Sequence, residues 1–147
     1  MLKIDLAESA KDRAAVFVIR GVVFVAEQQV PIDEEWDDHD LTADHLLARL
    51  DEVPVGTGRL VTQGERGMLG RLAVLSCMRG TGTGVALVRA IEDRARDRGL
   101  TGVDLHAQTH ALGFYERLGY HAHGAEFLDA GIPHVHMSKD IVPTPQP

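Results

Sequence analysis

An internal disulfide is excluded, because the 147 residues contain one cysteine, Cys77, and one thiol has no partner within its own chain. A membrane-length apolar run is missing too. The most apolar segment, AAVFVIRGVVFVA, is interrupted by Arg20 and Gly21, short of the ~18 unbroken apolar residues a spanning helix needs. Basic charge is scarce: 15 Lys and Arg face 22 Asp and Glu, a net charge of -7. Nucleic-acid binding calls for basic patches on phosphates and is therefore not expected. The acidic excess mildly favours a cationic or amine-bearing substrate. The start MLKIDLAESAKD alternates apolar and polar residues where a secretory leader would have a basic start and an apolar run. A cytoplasmic protein without membrane partners is the expectation. No repeat, linker or composition shift divides the chain, and 44% hydrophobic residues suffice for one core.

Hydrophobic periodicity orders the elements. Leu2, Ile4 and Leu6 alternate as a strand, and Ser9 with Asp12 marks a capped helix start, with the helix running from about 12 to 26. The residue before Pro31 is biased away from helix, so DEEWDDHD reads as a loop or irregular turn. His45 to Leu50 and Val55 to Thr62 read as strands joined by a turn at 51–54, and Met68 to Val74 as a third. SCMRGTGTG then opens a helix with apolar positions Val85, Val88, Ile91 and Ala95, closed by Gly99. Val103 to Ala107 makes a strand, Ala111 to Leu118 a helix closed by Gly119, and a last strand pair runs to about Lys139. The order implies an α/β layer fold with antiparallel hairpins and one strand–helix–strand crossover in a central mixed sheet. Residues 1–141 are expected to form the domain and 142–147 a disordered tail.

The turn RGTGTG, Arg79 to Gly84, places Gly80, Gly82 and Gly84 between a strand and a helix start. Open backbone N–H groups and the helix dipole favour phosphate there, and glycines let it approach closely. Strand-to-helix turns also use glycine for shape alone. A P-loop needs a Gly-Lys-Ser/Thr step, and the nearest lysines, Lys11 and Lys139, are distant. A dinucleotide fingerprint starting at Gly80 would put its third glycine where Val85 stands, and Asp104 only superficially resembles its ribose-binding acid.

Arg79, Gly82 and Gly84 in Arg-x-x-Gly-x-Gly resemble the pyrophosphate motif of the GNAT superfamily of acyl-CoA-dependent N-acyltransferases. AQTHALGFYERLGY is similar to that family's N-x-x-A-x-x-F-Y-x-x-x-G-F segment, with Gln108 in place of asparagine and Tyr120 in place of phenylalanine. The flanks VFVAEQQVP, VGTGRL and GIPHVHM, with Asp37, Asp40 and His45, resemble the ElaA-like branch. The resemblance implies a mostly antiparallel GNAT sheet flanked by helices, acetyl-CoA as acyl donor, and transfer to a primary amine by direct attack. It implies a bulge in the strand ending at Val74, with pantetheine lying along Leu72, Ala73 and Val74. Arg79, Gly80, Thr81, Gly82, Thr83, Gly84, Gln108, Ala111, Phe114 and Tyr115 complete the cofactor set, and Tyr115 would be the proton donor to the departing thiolate.

The base is open among Glu27, His45, His106 and His134, each of which also has a structural reading. His106 and Glu27 are the preferred pair, although strand residues alternate faces and His106 could point into the opposite layer. Glu27, Gln28, Trp36, His45 and His134 are candidates for the acceptor site, Trp36 either as its wall or as core. DEEWDDHD lacks the glycine an EF-hand needs, since Asp38 stands at that position. His121-x-His123 and His134-x-His136 put imidazoles in pairs but without cysteine or carboxylate ligands at a clear spacing, so no metal is expected. Two further readings stand beside the enzyme: a non-catalytic acyl-CoA sensor, and a protein like acyl-homoserine-lactone synthases, which the order Arg20, Phe24, Trp36, Asp37, Asp40, Arg59 resembles. The amine acceptor is unspecified, and a homodimer is the commonest assembly for such a chain.

Overall fold

Ser9 caps the first helix. In the computed structural model, which describes residues 1–146, its hydroxyl accepts from the Asp12 N–H at 3.1 Å and satisfies one donor of an open helix start. Strand β1 (Leu2–Leu6) precedes helix α1 (Ala10–Arg20). The helical path then widens into a π-helical segment, Gly21–Glu27, instead of running as one regular helix to residue 26. There the Gln28 N–H reaches five residues back to Val23 O (3.1 Å) and the Val30 N–H six back to Phe24 O (2.9 Å). Val16, Ile19 and Val23 recur on one buried face and pack with Leu47 and Ala73.

The acidic stretch is not the loop its composition suggests. It holds a single turn of helix α2 (Ile32–Glu35) and a 3-10 turn, Asp38–Leu41, in which Asp37 and Asp40 side chains reciprocally accept each other's backbone N–H groups. Arginines from α1 and the sheet, described below, give its carboxylates fixed partners.

Seven strands form one sheet in the order β1-β2-β3-β4-β5-β7-β6, with β2 (Asp44–Leu50), β3 (Val53–Gln63), β4 (Arg66–Val74), β5 (Gly102–Gln108), β6 (His121–Asp129) and β7 (Ile132–Asp140). All pairs are antiparallel except β4–β5, which is joined by the crossover helix α3 (Thr83–Asp97). Asp51 and Glu52, both at positive φ, make the β2–β3 turn so tight that β3 already begins at Val53. Gly99 (φ 76) and Gly119 (φ 97) take left-handed positions after α3 and after α4 (Leu112–Arg117).

Leu87, Val88, Ile91 and Ala95 of α3 are fully buried on Leu46, Leu60, Leu69 and Leu105 of the sheet. At ~1.5–3 kcal/mol for each large apolar side chain buried, this face holds the crossover in place. Helix α1 covers β2 to β4 on the opposite face. After β7 the Thr144 N–H donates to Arg96 O at 3.1 Å. Among the described residues no helix is long and apolar enough to cross a membrane.

Candidate active site

Two local irregularities open the site. Strand β4 pairs with β5 only from Arg66↔Gly102 to Leu69↔Leu105, and beyond that they no longer pair with each other, β4 running on beside β3 to Val74 and β5 beside β7 to Gln108. In the same stretch the β3–β4 register slips by one residue, from Thr57↔Ala73 to Arg59↔Gly70, and Arg71 takes φ 51. This is a β-bulge, which bends a strand and leaves backbone groups unpaired. The divergence opens a cleft of about 1210 Å³. Leu72 and Val74 line one wall, Leu105, His106 and Gln108 the other.

The glycine turn closes one end. Gly80 (φ 79) and Gly82 (φ 90) hold conformations that side chains disfavour, and Gly82 is the N-cap of α3 with no side-chain cap. The first-turn N–H groups of α3 are therefore left open, as an anion site requires. Gly80, Gly82, Gly84 and Arg79 line the cleft. A Cβ on Gly84 would come within 3.3 Å of Phe114 Cζ, so glycine there also lets α3 pass α4 closely. Thr81 and Thr83 do not line the cavity: the Thr81 hydroxyl donates to Met78 O (2.5 Å) and meets the Thr83 hydroxyl at 3.0 Å, bracing the turn from within.

Tyr115 on α4 faces the cleft while 8% exposed, its ring edge-on to Phe114 and Tyr120 at 5.0 and 5.9 Å. Its hydroxyl has no hydrogen-bond partner among the described residues, and burial alone pushes its pKa above the ordinary phenol value. Ala111 and Phe114 line the cleft beside it.

His106 faces the cleft and not the helical layer, since its neighbours Leu105 and Ala107 take the core positions. Its ring meets His136 at 4.6 Å and Phe127 at 5.1 Å. Desolvation lowers its pKa, and the charge of His136 lowers it further. His134 also lines the cleft, its Nδ1 2.6 Å from Ile132 O. Glu27 and Gln28 reach the cavity from the end of the π-helical segment, Glu27 Oε2 accepting from Arg79 Nη2 at 2.7 Å and Gln28 Oε1 from Gln108 Nε2 at 2.9 Å.

This geometry has known counterparts: the family model of the acetyltransferase (GNAT) domain matches residues 23–141. The chain belongs to the GNAT acetyltransferase family. The Bacillus subtilis (strain 168) protein named uncharacterized N-acetyltransferase YjcF is 40% identical over 140 residues, covering 95% of this chain and 100% of that one. The crystal structure of Escherichia coli ElaA matches with a TM-score of 0.85 at 26% identity, over 95% of this chain and 99% of that one. That of an acyl-CoA N-acyltransferase from Pseudomonas aeruginosa matches at 0.84 and 30% identity, with the same coverage.

Within the GNAT frame, three expected site residues besides Thr81 and Thr83 lie elsewhere. His45 is buried beneath α1, its Nε2 3.0 Å from Asp40 O and its ring against Phe17, and it does not reach the cleft. Burial lowers its pKa, which suits a neutral core imidazole. Trp36 is 43% exposed on the outer surface, edge-on to Phe17, and is neither cleft wall nor core. Ala73 packs into the α1 core and does not line the cavity, although Leu72 and Val74 on either side of it do.

The acidic stretch carries what the sequence reading missed. Arg20, wholly buried, grips Glu35 through Nε (3.1 Å) and Nη2 (3.0 Å), and Asp40 through Nη1 (2.7 Å). Arg59 Nη1 joins Asp37 (2.7 Å) to Asp40 (2.8 Å), and Arg71 from the bulge reaches Glu35 (3.1 Å) and Asp37 (3.3 Å). Three guanidinium groups balance three carboxylates. Burial would raise the pKa of Asp40, but hydrogen bonds from Arg20, Arg59 and the Asp37 N–H outweigh it and hold the carboxyl down to about 2. Of the residues resembling acyl-homoserine-lactone synthases, Arg20, Asp37, Asp40 and Arg59 all belong to this network. Arg59, Arg71, Glu35 and Asp37 form the far end of the cleft. The available signal was an arginine inside an apolar run, which demands a buried acid. Among the described residues no group of three His, Cys, Asp or Glu side chains is arranged to hold a metal.

Proposed function

We propose that this GNAT protein transfers an acetyl group from acetyl-CoA to a primary amine by direct attack. The observation that carries the reading is the divergence of β4 and β5 past Leu69 and Leu105 toward the open turn Arg79–Gly84. The edge of Leu72–Val74 that no longer pairs with β5 suits the amide-bearing pantetheine arm as an added strand. The helix start at Gly82 suits the pyrophosphate, and an N–H of the bulged strand suits the thioester oxygen.

The amine nitrogen forms a bond to the thioester carbon and the C–S bond breaks. Nitrogen loses a proton and sulfur gains one. Tyr115 is the donor toward sulfur in this reading: its hydroxyl has no hydrogen-bond partner among the described residues, and its raised pKa keeps it protonated across the working pH range. His106 is the acceptor of the amine's proton, because a lowered pKa keeps imidazole neutral at physiological pH. Gln28 and His134 stand on the acceptor side of the cavity.

Calorimetric titration with acetyl-CoA tests the reading directly. Binding by the native chain, lost when Gly82 is replaced by valine, supports the assignment of the turn. No binding of acetyl-CoA or longer acyl-CoAs by the native chain sinks it.

A further inference from the structure

Residues 27–29 tie together the two walls of the cleft. Glu27 ends the π-helical segment, and Gln29 holds φ 58, a conformation a non-glycine side chain takes only under constraint. From this short stretch Glu27 bonds Arg79, which stands on the turn after β4, and Gln28 bonds Gln108, the last residue of β5. The two links therefore cross the gap that opens past Leu69 and Leu105.

Arg79 is held from behind, its Nε donating to Val74 O at 3.1 Å, so that Nη2 is the edge given to Glu27. A carboxylate and a phosphate make the same demand on that edge. Both are anionic, both only accept hydrogen bonds, and a guanidinium fork fits either. With side chains 48% and 35% exposed, the pair is of the weak, exchangeable kind.

We propose that Glu27 is an internal competitor for the pyrophosphate of CoA: binding of the cosubstrate moves Arg79 from the Glu27 carboxylate to a phosphate. Glu27 is then left as an unpaired carboxylate on the cleft wall, so an anionic group faces an incoming ammonium only once the donor is loaded. Glu27 is thereby a positioning residue that couples the two halves of the site, and in its pair with Arg79 it is not free to act as a base. The inference rests on the acyl-CoA reading above and deepens it.

A double-mutant cycle read by calorimetric titration with coenzyme A at fixed ionic strength tests it. Glu27→Gln tightens CoA binding about twofold to fivefold over the native chain, the range expected for release of a half-exposed ion pair. Glu27→Ala gives the same gain and guards against a new amide contact to Arg79. In an Arg79→Gln background, removing the Glu27 carboxylate changes affinity by less than about 1.5-fold, since no guanidinium is left to release. A gain of equal size in both backgrounds reports only the loss of a negative charge near an anion and overturns the proposal. So does an unchanged or weakened affinity in the single variants. If the native chain fails to bind CoA, the acyl-CoA reading itself fails and the proposal falls with it, an outcome distinct from native binding with no gain in the variants.

Discussion

Arg20 Nη1 stands 2.7 Å from Asp40 Oδ1 where the arginine has no exposed surface and the aspartate almost none. Such a pair tells little about net stability while intact, because desolvation offsets much of the Coulomb gain. Removing one member is different, since the other charge stays buried. Asp40→Asn leaves Arg20 and Arg59 short of a carboxylate and is expected to cost about 3–5 kcal/mol. Urea unfolding checks this: the midpoint falls with the slope unchanged.

The same carboxylate sets an acid limit. A folded-state pKa near 2 against an ordinary 3.8 means that Asp40 contributes stability above pH 3.8, lost as pH falls through 2. The contribution is on the order of 2 kcal/mol. Asp37 shifts in the same direction: burial would raise it, but a hydrogen bond from Arg59 and its charge win. Thermal unfolding between pH 5 and pH 2.5 is expected to show a steep loss of Tm in the native chain and a shallower one in Asp40→Asn.

The network also explains where sequence reading stopped. Strands, crossover helix and glycine turn were legible because their signals are local: period-2 and period-3.6 patterns, a cap at Ser9, left-handed glycines at 82, 99 and 119. The splay of β4 from β5 and the bulge were legible only by family resemblance. Arg71 carries nothing in its neighbours GMLGRLAV that announces a positive φ. His45 and Trp36 were misplaced because an acidic stretch reads as solvated, and its burial depends on arginines 15 to 36 residues away. Long-range charge pairing has no period to detect. His106 was ambiguous by face alone, and the alternation of Leu105 and Ala107 into the core resolves it.

Gly82 and Gly84 differ in why they must be glycine, so their variants should differ in kind. At Gly82 nothing lies within 4 Å of an added Cβ, but φ 90 strains any side chain, and Gly82→Val should distort the turn and weaken acetyl-CoA binding at least tenfold with little change in the core. At Gly84 the conformation is ordinary and the obstacle is Phe114 Cζ at 3.3 Å. Gly84→Ala should lower affinity by less, and Phe114→Leu should restore part of it. Titrating all four proteins with acetyl-CoA separates strain from crowding.

Tyr115→Phe removes a hydroxyl that makes no hydrogen bond to the described protein, so thermal stability should hold within about 0.5 kcal/mol. If the hydroxyl serves the departing sulfur, kcat falls about 100-fold with an amine acceptor, while the Kd for acetyl-CoA stays within twofold. A loss confined to binding would instead make Tyr115 a packing residue like Phe114.

In the proposed reaction His106 takes the proton from the amine, and its pH dependence can show it. His106 has its pKa lowered first by desolvation, then by the charge of His136, with His134 adding to it and Asp129 and Asp104 opposing. A base works in its deprotonated form, so kcat/KM should rise with pH through a midpoint below the ordinary 6.5 of histidine and then level off. His106→Gln should remove that acid limb and lower the plateau about 100-fold. His136→Gln is the sharper case, because it leaves the base in place and takes away a charge that depresses it. Its limb should move toward higher pH with the plateau largely kept. If the limb stays put in His136→Gln and persists in His106→Gln, the proton leaves by another route, and His134, which also faces the cleft, becomes the group to replace next.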